Sequence, residues 1–242
     1  CQTNASCYDN SGTETASCVC DDGYVEFTGE PDVCHAAVQP LAGELVITEV
    51  MVQPTHGATT LDGQYFEVYN TLDATMDLSD VTLFAANGSQ DASAVIGEVL
   101  LPPKTRWVVG ANASPTENGN LSVDFEFGNM VLLDATNSGL ELVRTSDDAV
   151  LDAVYWDDTW NHAEGMSLIL SPGAPDVDIS TLNDDGAHWC HSRFTPYGDG
   201  DYGSPGSDND HCLVRGCTTF PYTVVQRKNT ETETLCGCIS EP

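Results

Sequence analysis

Cysteine is the residue type with the clearest chemical potential in this chain of 242 residues. Ten cysteines fall into two groups near the two ends, whereas residues 35–189 contain none. The groups are Cys1, Cys7, Cys18, Cys20 and Cys34, followed by Cys190, Cys212, Cys217, Cys236 and Cys238. The short pairs have a C-x-C spacing, unlike the CxxC or Cys/His knuckles typical of zinc sites. We therefore predict disulfides rather than zinc, and an oxidising, extracellular or cell-surface location.

The second cysteine group allows more than one pairing, because connectivity does not follow from sequence alone. Proximity along the chain favours a disulfide between Cys190 and Cys212 and another between Cys217 and Cys236. Cys238 is then left over.

No motif of an established catalytic centre occurs in the sequence. G-x-S-x-G, H-E-x-x-H and a phosphate-binding Gly-Lys loop are all missing. His188 and His191 flank Cys190, but a cysteine held in a disulfide cannot act as a nucleophile. Glu49 and Glu67 lie within apolar runs, where alternation places them on the face opposite the core. We expect these two carboxylates to be solvated or to bind backbone groups, and we predict that the chain is not an enzyme.

Calcium binding is a further chemistry that the loops could support. Asp199, Asp201, Asp208 and Asp210 bracket a Gly-Ser-Pro-Gly turn, and a second group of Asp and Asn residues spans 176–185. Such oxygens are the ligands that Ca²⁺ prefers, although no EF-hand spacing is present. We predict a Ca²⁺ site at the first group, against the alternative that carboxylates cluster by chance among 38 acidic residues.

The charge balance excludes two classes of partner. The chain has 38 acidic and 7 basic residues and a formal net charge of -31. It lacks the basic patches that nucleic acids require, and it repels anionic lipid surfaces. No apolar run approaches the roughly 18 residues of a membrane span, so we expect no membrane insertion. A hydrophobic content of 40% is nevertheless sufficient for a folded core.

The elements that must position these residues are short apolar runs separated by Gly, Pro, Asn and Asp. The runs span residues 45–51, 65–69, 81–84, 106–109, 130–133, 140–143, 150–155 and 167–170. No stretch of useful length has helical periodicity. Several short strands with turn signals between them predict an all-β, antiparallel sandwich or barrel.

The four tryptophans have two possible roles. Trp107, Trp156, Trp160 and Trp189 are expected in the core or at the ends of the sheets. The alternative is an exposed platform for sugar rings, which best fits Trp156 and Trp160 in the loop 156–162. Glycans are therefore a possible partner.

The first 34 residues form a separate, cysteine-rich segment with the spacing C-x5-C-x10-C-x-C-x13-C. Gly23 and Tyr24 follow shortly after Cys20. A segment this short needs disulfide staples to fold. Its spacing and the Gly-Tyr pair resemble an epidermal-growth-factor-like module, beginning at that family's second cysteine.

That resemblance implies a pairing. Family connectivity joins Cys1 to Cys18 and Cys20 to Cys34. Cys7 then has no partner, because such modules have six cysteines and this segment has five.

The middle of the chain resembles a lamin-tail domain of the secreted bacterial type. The matching segments, in order, are 47–51, 63–70, 77–79, 101–103 before Trp107, 152–155, 165–168, 189–190 and 197–206. One departure is Asp80, where the family usually has glycine in a turn. The resemblance implies an immunoglobulin-like sandwich without a catalytic centre, which serves as an interaction module.

These observations predict four parts. They are an epidermal-growth-factor-like module at 1–34, a linker at 35–43, a lamin-tail-like sandwich at 44–212 and a disulfide-stapled segment at 213–242. The last part is nearly neutral and contains Phe220, Tyr222 and Val224 at alternate positions. We predict an edge strand there that docks on a neighbouring sheet.

The two unmatched cysteines complement each other. Placing Cys238 and the four residues after it before Cys1 gives the interval C-x4-C, which completes a six-cysteine module. This predicts a Cys7–Cys238 disulfide and self-association, either between tandem repeats or between subunits joined head to tail. Such a contact propagates into a filament unless it closes. The alternative is that another segment supplies the sixth cysteine.

Two modifications are suggested by short motifs. Asn-x-Ser sequons begin at Asn4, Asn87 and Asn120 and predict glycosylation in a suitable host. A fourth begins at Asn112, where the following proline disfavours it. Lipidation of Cys1 is an alternative to its disulfide.

The sequence thus favours a non-enzymatic extracellular structural module, the repeating unit of a filament or a surface adhesin. The alternative is a glycan- or protein-binding module of a secreted or surface-anchored protein.

Overall fold

The computed structural model describes residues 4–9, 16–21, 23–26, 33–171, 179–209 and 212. Two hairpins come first, β1 (Ala5–Asp9) with β2 (Ala16–Cys20) and β3 (Tyr24–Glu26) with β4 (Cys34–Ala36). The strands that follow are β5 (Leu45–Met51), β6 (Tyr65–Asn70), β7 (Met76–Asp77), β8 (Val81–Ala86), β9 (Asp91–Val95), β10 (Leu100–Leu101), β11 (Arg106–Gly110), β12 (Phe125–Glu126), β13 (Asn137–Arg144), β14 (Ala149–Asp157), β15 (Leu168–Leu170), β16 (Trp189–His191), β17 (Pro196–Tyr197) and β18 (Asp201–Tyr202). The helices are short: 3-10 turns at Asp158–Trp160 and Gly186–His188, and α1 at Ile179–Leu182.

Two sheets form the body of the molecule. The first has the order β12-β11-β6-β5-β15-β16, and the second has the order β14-β13-β8-β9. Neighbouring strands are antiparallel except for the β11–β12 pair, which is parallel. The predicted all-β sandwich is confirmed.

The core lies between these sheets and is built from alternate residues of their strands. Phe66 and Val68 of β6 meet Leu83 of β8 and Leu140 of β13 in one cluster, and all four are at most 1% exposed. Each such side chain contributes roughly 2 kcal/mol on burial. Apolar packing therefore explains why these runs form strands.

One predicted strand is wrong. Residues 130–133 lie in a loop. The Gln64 side chain accepts a hydrogen bond from the Leu133 N–H and donates one to its carbonyl, at 2.9 and 2.8 Å. Met130 and Leu133 are nevertheless buried, so their apolar character reflects core packing rather than a sheet ladder.

A β-bulge in β5 determines which side chains leave the core. Ile47 pairs with Val68, whereas Glu49 pairs with Glu67, so the register shifts at the residue between them. The extra residue, Thr48, allows Thr48 and Glu49 to point to the same outer face of the first sheet.

A segment that we call the strap, residues 192–209, crosses this outer face. It contains the β17–β18 hairpin, and a disulfide between Cys190 and Cys212 brackets it. Its Tyr197 ring meets the ring of Tyr65 edge-on, with 5.5 Å between centroids.

The predicted Cys20–Cys34 and Cys190–Cys212 disulfides are present, with Cα–Cα distances of 5.5 Å each. Cys18 is also disulfide-bonded. The predictions for Cys1, for the side chain of Cys7 and for Cys217, Cys236 and Cys238 lie outside the described residues, as does the segment 213–242.

The predicted linker contacts the sandwich. The Val38 N–H donates to the Thr75 carbonyl at 3.0 Å, and the Val38 carbonyl accepts from the Asp77 N–H at 2.9 Å. Ala37 is 6% exposed. The residues between module and sandwich are thus fixed to β7.

Candidate functional site

Glu49 is the centre of a buried polar cluster between the first sheet and the strap. Its Oε1 accepts hydrogen bonds from the Tyr65 hydroxyl at 2.6 Å, the Ser167 hydroxyl at 2.5 Å and the Ser204 N–H at 2.9 Å. Its Oε2 lies 2.9 Å from the Ser204 hydroxyl. One side chain on β5 therefore binds β6, the residue before β15, and the strap.

Glu67, directly opposite on β6, makes a second set of contacts. Its Oε1 accepts from the Thr48 hydroxyl at 2.7 Å and from Arg106 Nη1 at 2.8 Å. Its Oε2 accepts from the Gly206 N–H at 2.8 Å. The Arg106 guanidinium, on β11, also lies 4.7 Å from the centroid of the Tyr69 ring.

Asp201, which belongs to the strap, binds the loop that follows β5. Its carboxylate accepts hydrogen bonds from the Thr55 N–H at 3.0 Å, the His56 N–H at 3.1 Å and the Thr55 hydroxyl. His56 Nδ1 lies 3.0 Å from the same carboxylate. We call Glu49, Glu67 and Asp201 together the clasp, since each joins the strap to the sheet or its loops.

The pKa values of the clasp carboxyls are shifted in different directions. Burial raises the pKa of Glu49, and its hydrogen bonds only partly oppose this. Burial also raises the pKa of Glu67, as does the charge of Glu49, whereas Arg106 works against both effects. Burial opposes ionisation of Asp201 too, but the hydrogen bonds from Thr55 and His56 together lower its pKa. The lowered pKa keeps Asp201 ionised at neutral pH.

Two glycines allow the strap to approach these carboxyls closely. A Cβ atom on Gly203 would lie 2.4 Å from the Tyr65 hydroxyl and 2.7 Å from Glu49 Oε1, so only glycine fits there. Gly206 has φ +75°, a left-handed conformation that favours glycine and aims its N–H at Glu67. The Gly-Ser-Pro-Gly turn therefore serves the clasp.

A second buried carboxyl joins the two sheets. Asp152 Oδ2, on β14, accepts from the Ile47 N–H and from Asn183 Nδ2, both at 2.7 Å. The Asn183 carbonyl in turn accepts from Trp189 Nε1 at 3.0 Å. Burial raises the pKa of Asp152 to about 7.

The sequence prediction placed Glu49 and Glu67 on the correct face. Of the two expected roles, backbone binding is the one observed, through Ser204 and Gly206. A solvated face is wrong, because the strap covers both residues and each is 0% exposed. Arg106, Ser204 and Asn209 were not singled out; a lone arginine opening an apolar strand in so acidic a chain was the available signal.

The structure distributes the predicted calcium ligands among different contacts. Asp199 is exposed, Asp201 is taken up by Thr55 and His56, and Asp208 lies exposed with an oxygen 3.4 Å from Arg106 Nε. Asp210 lies outside the described residues. Within the described part of the chain, no group of three or more His, Cys, Asp or Glu residues is arranged to hold a metal ion. The calcium site stays a prediction.

The remaining candidates are placed as follows. Among the sequons, Asn120 is exposed and Asn4 is half-buried, while Asn87 donates through Nδ2 to the Leu132 carbonyl at 2.9 Å. Glycosylation of these asparagines stays a prediction. The candidate docking strand Phe220, Tyr222 and Val224 lies outside the described residues.

The core role predicted for the tryptophans is confirmed. Trp156 is 4% exposed and donates from Nε1 to the Asp134 carbonyl, so it offers no sugar platform. Trp160 is half-buried against Trp189, with 5.7 Å between ring centroids. The loop 156–162 therefore turns its rings inward.

Exposed apolar side chains gather instead on the outer face of the second sheet. Phe84, Val95, Val150 and Tyr155 are 37%, 60%, 50% and 59% exposed. Glu141 lies among them, paired with Phe84 across the strands, and accepts the Tyr155 hydroxyl hydrogen bond. This outer face is the largest group of exposed apolar side chains that the register brings together in the described residues.

Comparison with known proteins gives no family assignment. No family model matches the chain, and no curated protein matches it. Within the described residues, no helix has the length and apolar character needed to cross a membrane.

Proposed function

We propose that this chain is a non-enzymatic structural unit of an extracellular assembly, with the sandwich as its rigid body. The clasp is the observation that carries the proposal. Glu49 and Glu67 are the carboxylate pair that would most readily serve acid–base chemistry, and both are fully buried and bonded to the strap. Carboxyls committed in this way stabilise a surface and have no access to a substrate.

The disulfides support an extracellular site of action. Cys20–Cys34 and Cys190–Cys212 indicate an oxidising environment. The first staples the N-terminal hairpins and the second brackets the strap, so each reinforces a part with little apolar core of its own. Secretion follows as the proposed localisation.

The proposed joint between units is a disulfide from Cys7 to Cys238. Its support is the cysteine spacing, because the pairing that the growth-factor-like resemblance implies leaves Cys7 over, and adding Cys238 completes a six-cysteine module. The lamin-tail resemblance of residues 44–212 is consistent with a rigid spacer between joints. A heterologous contact of this kind builds filaments.

Electron microscopy of the native material tests the proposal. We expect filaments with one sandwich per axial repeat, and a peptide bridging Cys7 and Cys238 in a non-reducing digest. Cys238→Ser should shorten or abolish the filaments, whereas Ser6→Ala should not. Dispersed monomers that carry a free Cys7 thiol would reject the joint.

A second candidate function, a binding module, is favoured by the outer face of the second sheet. Flat faces that expose several apolar side chains mark contact sites for other proteins. Two valines flank the aromatic rings here, which fits a protein surface better than a sugar. Tyr155→Ala with Phe84→Ala should then abolish capture of a partner protein from the native material, whereas Phe194→Ala, which removes a 62% exposed ring elsewhere, should not. Retained capture by the double variant, or glycan-array binding alone, would argue against this candidate.

A further inference from the structure

The Ser204 hydroxyl lies between two oxygens that both require a hydrogen. It is 2.9 Å from Glu49 Oε2 and 3.0 Å from Asn209 Oδ1. The amide of Asn209 has a fixed orientation, because its Nδ2 donates to the carbonyls of Thr48 and Leu170 at 2.8 and 3.1 Å. Asn209 Oδ1 is therefore an acceptor, and a hydroxyl carries only one hydrogen.

A proton on Glu49 resolves this conflict. If Oε2 is protonated, it donates to Ser204 Oγ, and Ser204 Oγ donates to Asn209 Oδ1. The other oxygen, Oε1, already accepts from Tyr65, Ser167 and the Ser204 N–H, as a carboxyl C=O should. The Ser204 N–H also lies 3.2 Å from Oε2, but its shorter contact of 2.9 Å goes to Oε1. The short N–H and hydroxyl contacts from Tyr65, Ser167 and Ser204 therefore favour Oε1 as the carbonyl oxygen of a neutral carboxylic acid.

We propose that Glu49 is protonated in the folded protein and that this proton makes the strap a latch, closed in acid and opened by base. Loss of the proton leaves Glu49 Oε2 and Asn209 Oδ1 competing for one hydroxyl hydrogen. It also creates a second negative charge directly opposite Glu67. Residues 203–209 of the strap then separate from the sheet, while the Cys190–Cys212 disulfide keeps them near enough to close again.

The charges around Glu49 favour one proton in the pair. From β6 it faces Glu67 and Tyr65, and from the strap it faces Tyr197 and, farther along, Asp201. Arg106 on β11 is the one base bonded to the clasp glutamates within the described residues, and its short contact goes to Glu67. His56 faces Asp201. One cation compensates one carboxylate, so Glu67 holds the charge and Glu49 the proton. Burial, which raises the pKa of Glu49, acts in the same direction.

Hydrogen exchange of single amides tests the latch in the intact protein. The Ser204 and Gly206 N–H groups bond to the clasp glutamates, whereas the Ser192 N–H bonds to the Ser167 carbonyl and is the internal control. After correction for intrinsic rates, protection of Ser204 and Gly206 should fall about tenfold per pH unit once Glu49 titrates. Protection of Ser192 should stay constant. Equal behaviour of all three amides would overturn the latch.

Two further measurements keep the test independent of folding defects. In Glu49→Gln the side-chain NH₂ replaces the proton donor, so protection of Ser204 should become independent of pH; Glu126→Gln, at an exposed position, is the matched control. Infrared spectra of the unaltered protein at neutral pH should show a protonated-carboxyl band, to which Asp152 and Glu67 also contribute because burial raises the pKa of each. The difference spectrum between the unaltered protein and Glu49→Gln should show the loss of one component of this band. An unchanged band in Glu49→Gln would refute the assignment of the proton.

Discussion

At the scale of single residues, the stability of the outer face depends on one arginine. Arg106 is 14% exposed and binds Glu67, Thr48 and the Tyr69 ring. A buried carboxylate that loses its only cation keeps the cost of burial without the attraction that offsets it. Among the contacts of the clasp, those of Arg106 should therefore contribute most to the free energy of unfolding.

Arg106→Leu is expected to lower the free energy of unfolding by about 3 kcal/mol, because Glu67 would remain buried without a counter-charge. Urea denaturation at neutral pH measures the change. Adding Glu67→Gln to Arg106→Leu should recover part of the loss. Lys104→Leu, which removes a cation from the 94% exposed carboxylate of Asp73, should change little. An equal loss in the single and double variants would contradict the charge argument.

The residue scale also shows what the sequence predicted about the site. Alternation placed Glu49 and Glu67 on the correct face because a carboxylate in an apolar strand must avoid the core. It did not reveal that residues far along the chain would cover that face, since Ser204 and Gly206 lie more than a hundred positions away. The aspartates on either side of the Gly-Ser-Pro-Gly turn predicted a calcium site instead, because loop carboxylates are typical Ca²⁺ ligands. The glycines of the turn gave no sign that it approaches the buried glutamates.

At the scale of elements, the strap owes its position to covalent closure as well as to the clasp. It contains two short two-residue strands, and none of its hydrophobic side chains is fully buried. Disulfides stabilise such segments mainly by restricting the unfolded chain.

The double variant Cys190→Ser with Cys212→Ser should lose about 3 kcal/mol of stability, the loop-closure value for a separation of 22 residues. Thermal unfolding under non-reducing conditions measures this loss. If the clasp holds the strap as described, protection of the Ser204 amide at acid pH should survive the loss of the disulfide. Complete loss of protection would show that the disulfide alone positions the strap.

Elements also differ in how visible they are in the sequence. β5, β6 and β14 were predicted from their apolar runs. β5 and β6 are buried on both faces, and β14 is buried on the face that meets the core. β9, with the sequence Asp-Ala-Ser-Ala-Val, was missed, since small half-exposed residues at a sheet edge give no apolar signal. The run 130–133 gave a false signal because Gln64 satisfies the Leu133 backbone.

At the scale of the whole molecule, acidity and burial together make stability dependent on pH. Asp152 has an ordinary pKa of 3.8 and a folded pKa of about 7, so the folded protein binds its proton more tightly than the unfolded chain does. The stability that this provides is fully present below the unfolded pKa and is lost as pH rises through the folded pKa. Glu49 and Glu67 act in the same direction.

The free energy of unfolding should therefore fall on the order of 3 kcal/mol between pH 4 and pH 8 through Asp152 alone. Asp152→Asn retains an oxygen for the Ile47 N–H and the Asn183 amide, and it should flatten this dependence. Denaturation curves at matched ionic strength provide the measurement. A steeper dependence in Asp152→Asn would show that another group is responsible.

Net charge supplies a second prediction at this scale. With a net charge of -31, general salt should raise the thermal midpoint by screening self-repulsion. If the predicted calcium site exists, Ca²⁺ should raise the midpoint more than Mg²⁺ at the same concentration, and Asp199→Asn should remove the difference. Identical midpoints in the two cations would reject the site.

The bulge in β5 has an evolutionary consequence. Because Thr48 is the extra residue between Ile47 and Glu49, its deletion would restore plain alternation and leave Ile47 and Val50 in the core and Glu49 outside. Deleting Val46 would instead invert every side chain before it. An ancestral strand could therefore have gained one residue at this point without changing the face on which any other side chain lies. That residue supplies the hydroxyl that now links Glu67 to Arg106.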